Sequence, residues 1–197
     1  MRKFTRFEAP KIIKDNWESI GENYANKRNA NPAYRFSWPQ IKSKKLNQIA
    51  LPILTAQTDN HCSYCDKFPL HNGDYSIDHF MPKSNPLFYD MVCKWENLYL
   101  ACKHCQDSKR TDFDELLLRP DDIEFSFNRY FIYNYTTHII DPNPSASDYD
   151  KKRAAITIRT FDFNYFGMKT SRRHAFERYS KSTDPEVNDF NYRFMFD

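Results

Sequence analysis

Four of the five cysteines in this 197-residue chain fall into two C-x-x-C pairs, Cys62/Cys65 and Cys102/Cys105, with 36 residues between the pairs. Each pair at that spacing turns two thiolates towards one point from a single tight knuckle, and two knuckles complete a tetrahedron around a zinc ion. Four protein ligands leave no open position, so a zinc held this way supports structure and takes no part in catalysis. Zinc-finger peptides bind their ion with roughly 10–16 kcal/mol, comparable to the stability of a whole domain, so the unit is expected to need its metal to stay folded. The odd cysteine count argues against a plain disulfide framework, and a redox role needs a thioredoxin-like βαβ context that the flanking sequence lacks. Cys93, alone between the pairs, reads as a small buried apolar residue. His61, next to Cys62, reads as a neighbour of the zinc site or an exposed residue rather than a fifth ligand.

Between the pairs lie Asp78-His79 at the end of one expected strand and Asn97 just before a second, with Gln106 directly after the last cysteine. An Asp-His dipeptide alone is usually surface decoration, and a lone Asn is usually a turn residue. Framed by both cysteine pairs, they form a constellation that fits phosphodiester hydrolysis. That reaction needs a base to take a proton from water and a cation to stabilise charge on the leaving oxygen. A histidine with an ordinary pKa near 6.5 suits the first task, and a hard Mg²⁺ or Mn²⁺ held by a carboxylate and waters suits the second. Adjacent residues on a strand point to opposite sides, so Asp78 and His79 meet one phosphate only if the strand is already ending there.

The segments Cys62-Ser63-Tyr64-Cys65, Ile77-Asp78-His79-Phe80-Met81-Pro82, Glu96-Asn97-Leu98 and Cys102-Lys103-His104-Cys105-Gln106-Asp107-Ser108-Lys109 resemble the HNH endonucleases of the ββα-metal fold. The subgroup is the one stapled by two cysteine pairs, and the resemblance covers about a quarter of the chain, residues 62–112. It implies that Asp78 ligates a catalytic divalent metal, that His79 is the general base and that Asn97 orients the catalytic loop. Relatives usually carry histidine as the second metal ligand where this chain has Gln106, whose amide oxygen is a weaker ligand; Asp107 and His104 are neighbouring substitutes. Lys109, Arg110, Arg172 and Arg173 are candidate nucleic-acid contacts, with a solvated helix face as the alternative for such cations.

The elements that must position these residues follow from the spacing of apolar side chains. After Pro10, Ile13, Trp17, Ile20 and Tyr24 mark one face of a helix, and after Pro39 a second pattern (Ile41, Leu46, Ile49, Ile53) predicts a helix bent or broken at Pro52. YSIDHFM and ENLYLAC read as strands, and a helix is expected at or just after Cys105. FSFNRYFIYNY alternates as a strand, Ser147 is an expected N-cap for a helix through KKRAAITI, and Asn164 for a last helix through FGMKTSRRHAFERY. The fold class is therefore α+β, a zinc-stapled ββα core with helical flanks. Its segments are 1–60 (helical), 61–118 (core) and 119–197 (hairpin and helices), expected to form one compact domain.

Net charge is only +3, and the middle of the chain is acidic: residues 61–122 carry 7 Lys/Arg against 11 Asp/Glu, and residues 1–60 carry 11 against 5. Attraction for phosphate must then come from the flanks, above all residues 151–181 with nine Lys/Arg against Asp162 and Glu177. No apolar run has signal-peptide or membrane-spanning length, which makes a cytoplasmic protein without membrane contact the expectation. The overall layout also resembles the small HNH subunit of Septu-type antiphage systems, similar to proteins that accompany some retrons. That likeness implies a defence role, nucleic acid (DNA before RNA) as substrate, and an ATPase of the ABC/SMC-like class as partner. The alternatives are a non-catalytic zinc adaptor gripping nucleic acid or protein, which has no need of Asp78-His79, and a nuclease acting alone.

Overall fold

Pro10 opens α1 (Lys11–Lys14), as a first-turn proline can, but the helix does not run on as the apolar spacing predicts. The Asn16 side chain donates back to the Ile12 carbonyl at 2.8 Å, a local bond that competes with the helix ladder, and the chain restarts as α2 (Trp17–Ala30). In this computed structural model, which describes residues 1–71 and 73–197, α2 packs against a 3-10 helix at Pro86–Met91, within the loop between the central strands. Gly21 makes that approach: a Cβ there would lie 1.9 Å from the Asp90 carbonyl oxygen. The expected second helix is also corrected. Ile41 belongs to a minimal hairpin, β1 (Gln40–Ile41) with β2 (Lys44–Lys45), and α3 (Leu46–Ala56) starts only afterwards. It runs through Pro52 without a break.

The centre is an antiparallel pair, β3 (Tyr75–His79) with β4 (Leu98–Cys102), registered from Tyr75 opposite Cys102 to His79 opposite Leu98. Every residue of β4 is buried, as its continuous apolar run suggests. Helix α4 (Lys103–Lys109) follows with no linker. It begins before Cys105 rather than after it, with Cys102 at the N-cap position, so the second knuckle is the strand-to-helix turn itself.

In the C-terminal third, the alternating FSFNRYFIYNY is not one strand. Phe127–Tyr130 makes a helical turn, α5, which lets Phe127 and Phe131 pack four residues apart with centroids at 5.3 Å. The strand β5 (Phe131–Tyr133) pairs with β6 (Ile140–Pro142). Ser147 caps α6 (Asp148–Thr160) through a 3.1 Å bond from the Asp150 amide. Asn164 does not cap α7 (Phe166–Ser180): its amide is spent on the backbone N–H and C=O of Ile140, and Tyr165 takes the cap position.

Three two-stranded antiparallel sheets and seven α-helices thus share one α+β framework among the described residues. One buried apolar cluster draws on all three sequence segments, from Met1 and Ile13 through Leu98 and Leu100 to Phe163 and Met195. No described helix is long and apolar enough to cross a membrane. The contact at Gly21 gives the first prediction. Gly21→Ala should lower the urea unfolding free energy by about 2 kcal/mol or more, because the obstruction is backbone and overpacking of this kind costs roughly 1–3 kcal/mol. A midpoint equal to wild type would show that α2 and the 86–91 loop do not touch this closely in solution.

Candidate functional site

The four paired cysteines are all buried, and their Sγ atoms lie within 4.8 Å of one another. Local backbone bonds shape the first knuckle: the Asp66 amide donates to the Cys62 carbonyl at 2.9 Å, and Cys62 donates to Lys67 at 3.0 Å. Asp66 completes the turn at φ 63°. The knuckle is joined to β4 by Ser63 N–H to Leu100 O (2.8 Å) and by the Cys102 amide to Cys62 Sγ (3.3 Å). Burial holds the Cys65 and Cys105 thiols well up, whereas Cys102 is driven far down by hydrogen bonds from the Cys105, Cys62 and Cys65 thiols. Like charges at this spacing cannot accumulate without a cation, and four sulfur donors are the set a tetrahedral zinc takes. The cluster can hold one zinc ion.

The C-terminal residues clasp this knuckle from outside. Arg193 donates to both Asp66 carboxylate oxygens, the closer at 2.8 Å, and pairs with Asp59 at 3.0 Å; the Arg193 and Tyr192 amides bond to Asp66 as well. Sequence reasoning missed this clamp, since nothing local marks Arg193. His61 is fully buried with its two ring nitrogens against the carbonyls of Asp59 and Phe190, so neither is turned to the thiols.

Tyr64, between the knuckle cysteines, is the link to Asp78. It is fully buried between Phe161 (4.1 Å, stacked) and Tyr99 (5.5 Å), and its hydroxyl donates to Asp78 Oδ2 at 2.8 Å. Lys109 Nζ lies 3.1 Å from the same oxygen and donates to the His79 carbonyl at 2.7 Å. Burial pushes the Asp78 carboxyl up, and Lys109 and the Tyr64 hydroxyl oppose that shift. Its Oδ1 bonds to no described side chain.

His79 remains in the strand ladder, paired with Leu98, so the strand does not end before it. Its ring faces away from Asp78's partners, against Trp38 (stacked, 5.5 Å) and Phe36 (edge-on, 5.5 Å). Nε2 meets the Val92 carbonyl at 3.0 Å. A carbonyl only accepts, so Nε2 carries the proton and Nδ1 the lone pair. Nδ1 has no hydrogen-bond partner among the described residues, and the ring lines a cleft of about 320 Å³. Burial first, then the Lys83 ammonium, bring the imidazole down to about 3, so it is neutral at pH 7. The Lys83 ammonium acts on both side chains, lowering the His79 imidazole and opposing the upward shift of the Asp78 carboxyl.

Asn97 is fully buried and holds the intervening loop closed. Its Oδ1 accepts from the Met81 amide (2.7 Å), and its Nδ2 donates to the carbonyls of Met81 (3.1 Å) and Met91 (3.0 Å). The loop that brings Val92 to His79 is thus tied at both ends by one side chain.

Two sequence-predicted nucleic-acid contacts are overturned. Lys109 is fully buried on Asp78 and the His79 carbonyl, and Arg172 is fully buried on the carbonyls of Phe163 (2.7 Å) and His138 (2.6 Å). Neither can reach a phosphate, because sequence counts charges without showing which ones a core has absorbed. Arg110 and Arg173 are exposed, the latter facing Glu177 at 3.9 Å. Gln106 bonds to Ser76 Oγ, two residues before Asp78 on β3 (Oε1 at 2.8 Å). Of its substitutes, His104 stacks on Tyr165 and Asp107 pairs with Lys103 at 2.9 Å.

No protein-family model and no curated protein matches the chain.

Two measurements follow from this geometry. Purified protein should carry about one zinc per chain by elemental analysis, and Cys102→Ser should be insoluble or unfolded because the tetrahedron opens; well-folded protein free of zinc would contradict the assignment. The second concerns pH. An unfolded His79, near its ordinary 6.5, binds a proton that the folded ring at about 3 refuses, so its contribution is whole above pH ~6.5 and is lost as pH falls towards 3. Wild-type protein should therefore lose more stability between neutral and mildly acid pH than His79→Ala does. Acid release of zinc is common to both proteins, so equal slopes would show that the imidazole is not buried in solution.

Proposed function

We propose that the chain is a metal-dependent nuclease of the HNH type that hydrolyses phosphodiester bonds, built on a ββα core stapled by structural zinc. The observation that carries this reading is His79: an imidazole on the wall of a cleft, with Nε2 fixed on the Val92 carbonyl and Nδ1 without a partner among the described residues, next in sequence to Asp78, whose Oδ1 bonds to no described side chain. A general base needs that tautomer and that orientation. A zinc adaptor that only binds has no use for them.

In this reading, His79 Nδ1 takes the proton of the attacking water. Asp78, held by Tyr64 and Lys109 through Oδ2, would hold a divalent cation through Oδ1, and the Gln106 amide oxygen, which accepts from Ser76 here, would be the second protein donor. One carboxylate, one amide and the substrate phosphate are a donor set that suits Mg²⁺ or Mn²⁺, which would stabilise charge on the leaving oxygen. Tyr64, Lys109 and Asn97 are positioning residues. The acidic middle of the chain grips a polyanion poorly, so the basic flanks or a second subunit must supply affinity. That requirement agrees with a defence nuclease working beside an ATPase, cytoplasmic like its substrate.

His79→Ala should lose about 10²–10⁴-fold in cleavage rate while zinc content and secondary structure stay as in wild type. Gln106→Ala should need more Mg²⁺ for activation, and Gln106→His should shift the preference towards Mn²⁺, which accepts nitrogen more readily. Cleavage by His79→Ala at the wild-type rate would refute the nuclease mechanism; a Gln106→Ala activation curve that matches wild type would remove only the second ligand.

A further inference from the structure

Strand β3, helix α3 and the extended segment carrying Phe36 and Trp38 enclose the half-open cleft of about 320 Å³ that His79 lines. This is the lower end of the size range of small-ligand sites. Three of its features are not used by hydrolysis. Phe36 and Trp38 stand edge to face at 5.1 Å and, with Tyr75, give the cleft aromatic walls immediately beside the proposed base. Asn47, from the first turn of α3, lines the same space, and its Oδ1 is shielded from solvent with no hydrogen-bond partner among the described residues. A shielded amide acceptor without a donor is unfavourable, and rotation of the Asn47 side chain towards a ligand N–H in the cleft relieves it. Lys83 reaches the cleft from the loop, is exposed and forms no ion pair among the described residues; its backbone is pinned by the Tyr24 hydroxyl on its carbonyl at 2.9 Å.

We propose that this cleft is a subsite for one unpaired nucleotide next to the scissile phosphate. The base lies against the aromatic walls, its hydrogen-bonding edge meets the Asn47 amide, and Lys83 takes the phosphate. Flat aromatic faces bind any base by stacking, an amide reads base edges, and an ammonium neutralises phosphate. A base paired and stacked inside a duplex cannot enter a space bounded by side chains on several sides, so the substrate is single-stranded nucleic acid or an unpaired loop. The proposal rests on the nuclease reading for the phosphate's place at His79, and it adds which strand form the site accepts.

The experiment measures binding and cleavage separately. Fluorescence anisotropy of short labelled DNA and RNA strands, and of the DNA duplex of the same sequence, is read on wild-type protein without added divalent cation. The single strand is expected to bind at least about tenfold more tightly than the duplex, and Asn47→Ala to weaken single-strand binding by about tenfold with little effect on duplex. Trp38→Ala should act alike; should it fail to fold, Asn47→Ala still decides, since its Oδ1 has no described partner to lose. Preference for either DNA or RNA supports the subsite and identifies the sugar it accepts. Duplex binding as tight as single-strand binding, single-strand binding unaffected by Asn47→Ala, or no binding to any strand would overturn it. Cleavage assays with Mg²⁺ and Mn²⁺ separate the two ideas. Strand-selective binding with no cutting would sink the nuclease reading and leave the subsite, whereas cutting indifferent to strand form and to Asn47 would do the reverse.

Discussion

The four-thiol cluster fixes where everything else can stand, because it ties two chain segments that lie 36 residues apart in sequence. The first knuckle hangs from β4 by the bonds of Ser63 and Cys102. The second is the junction of β4 and α4. Tyr64, which the first knuckle forces inward, reaches across to the Asp78 carboxylate. The cluster and the candidate chemistry are therefore not independent modules: the residue between two clustered cysteines supplies a hydrogen bond to the candidate carboxylate. From the outside, Arg193 locks the same turn through Asp66, so the end of the chain takes part in holding the site that its middle builds.

Around the hairpin end the polar groups are buried but not isolated. Lys109 and Asp78 neutralise one another at 3.1 Å, and Lys109 also satisfies the His79 carbonyl. Taking away one partner of a buried pair costs about 3–5 kcal/mol, because the remaining charge is stranded. Lys109 is thus tied to the frame by energy as well as geometry. Asn97 does the same for the loop with three hydrogen bonds from one amide. His79 differs from both: one nitrogen is satisfied, the other has no partner among the described residues, the ring lines a cleft, and burial keeps it neutral. A rigid frame with one unsatisfied basic atom is an arrangement that stability alone does not require.

Lys83 shows how position along a fold changes the meaning of charge. Lys83 and Lys109 are both near Asp78, yet Lys109 is absorbed by the core and Lys83 stays exposed at the cleft. Arg172 repeats the lesson at a distance: in a run of basic residues it reads as a phosphate contact, but three carbonyl bonds from its guanidinium close the turn before α7 and the end of the β5–β6 hairpin.

By itself the sequence determined whatever depends on short spacings. The two C-x-x-C pairs announced a thiol cluster, the segments YSIDHFM and ENLYLAC announced the central strands, and Ser147 announced its helix. These are local features, set by a knuckle's reach, the pleat of a strand or a cap's hydrogen bond. Tertiary structure decided the rest. It split the first helix at Asn16, turned half of an alternating segment into α5, and gave Asn164 to Ile140 instead of to a helix end, each time because a partner far away or a side-chain bond outweighed the local pattern. It also decided which cations are buried, that Trp38 faces His79, and that Arg193 meets Asp66 across 127 residues. Burial and long-range contact depend on the whole packed chain, and no window of sequence contains them.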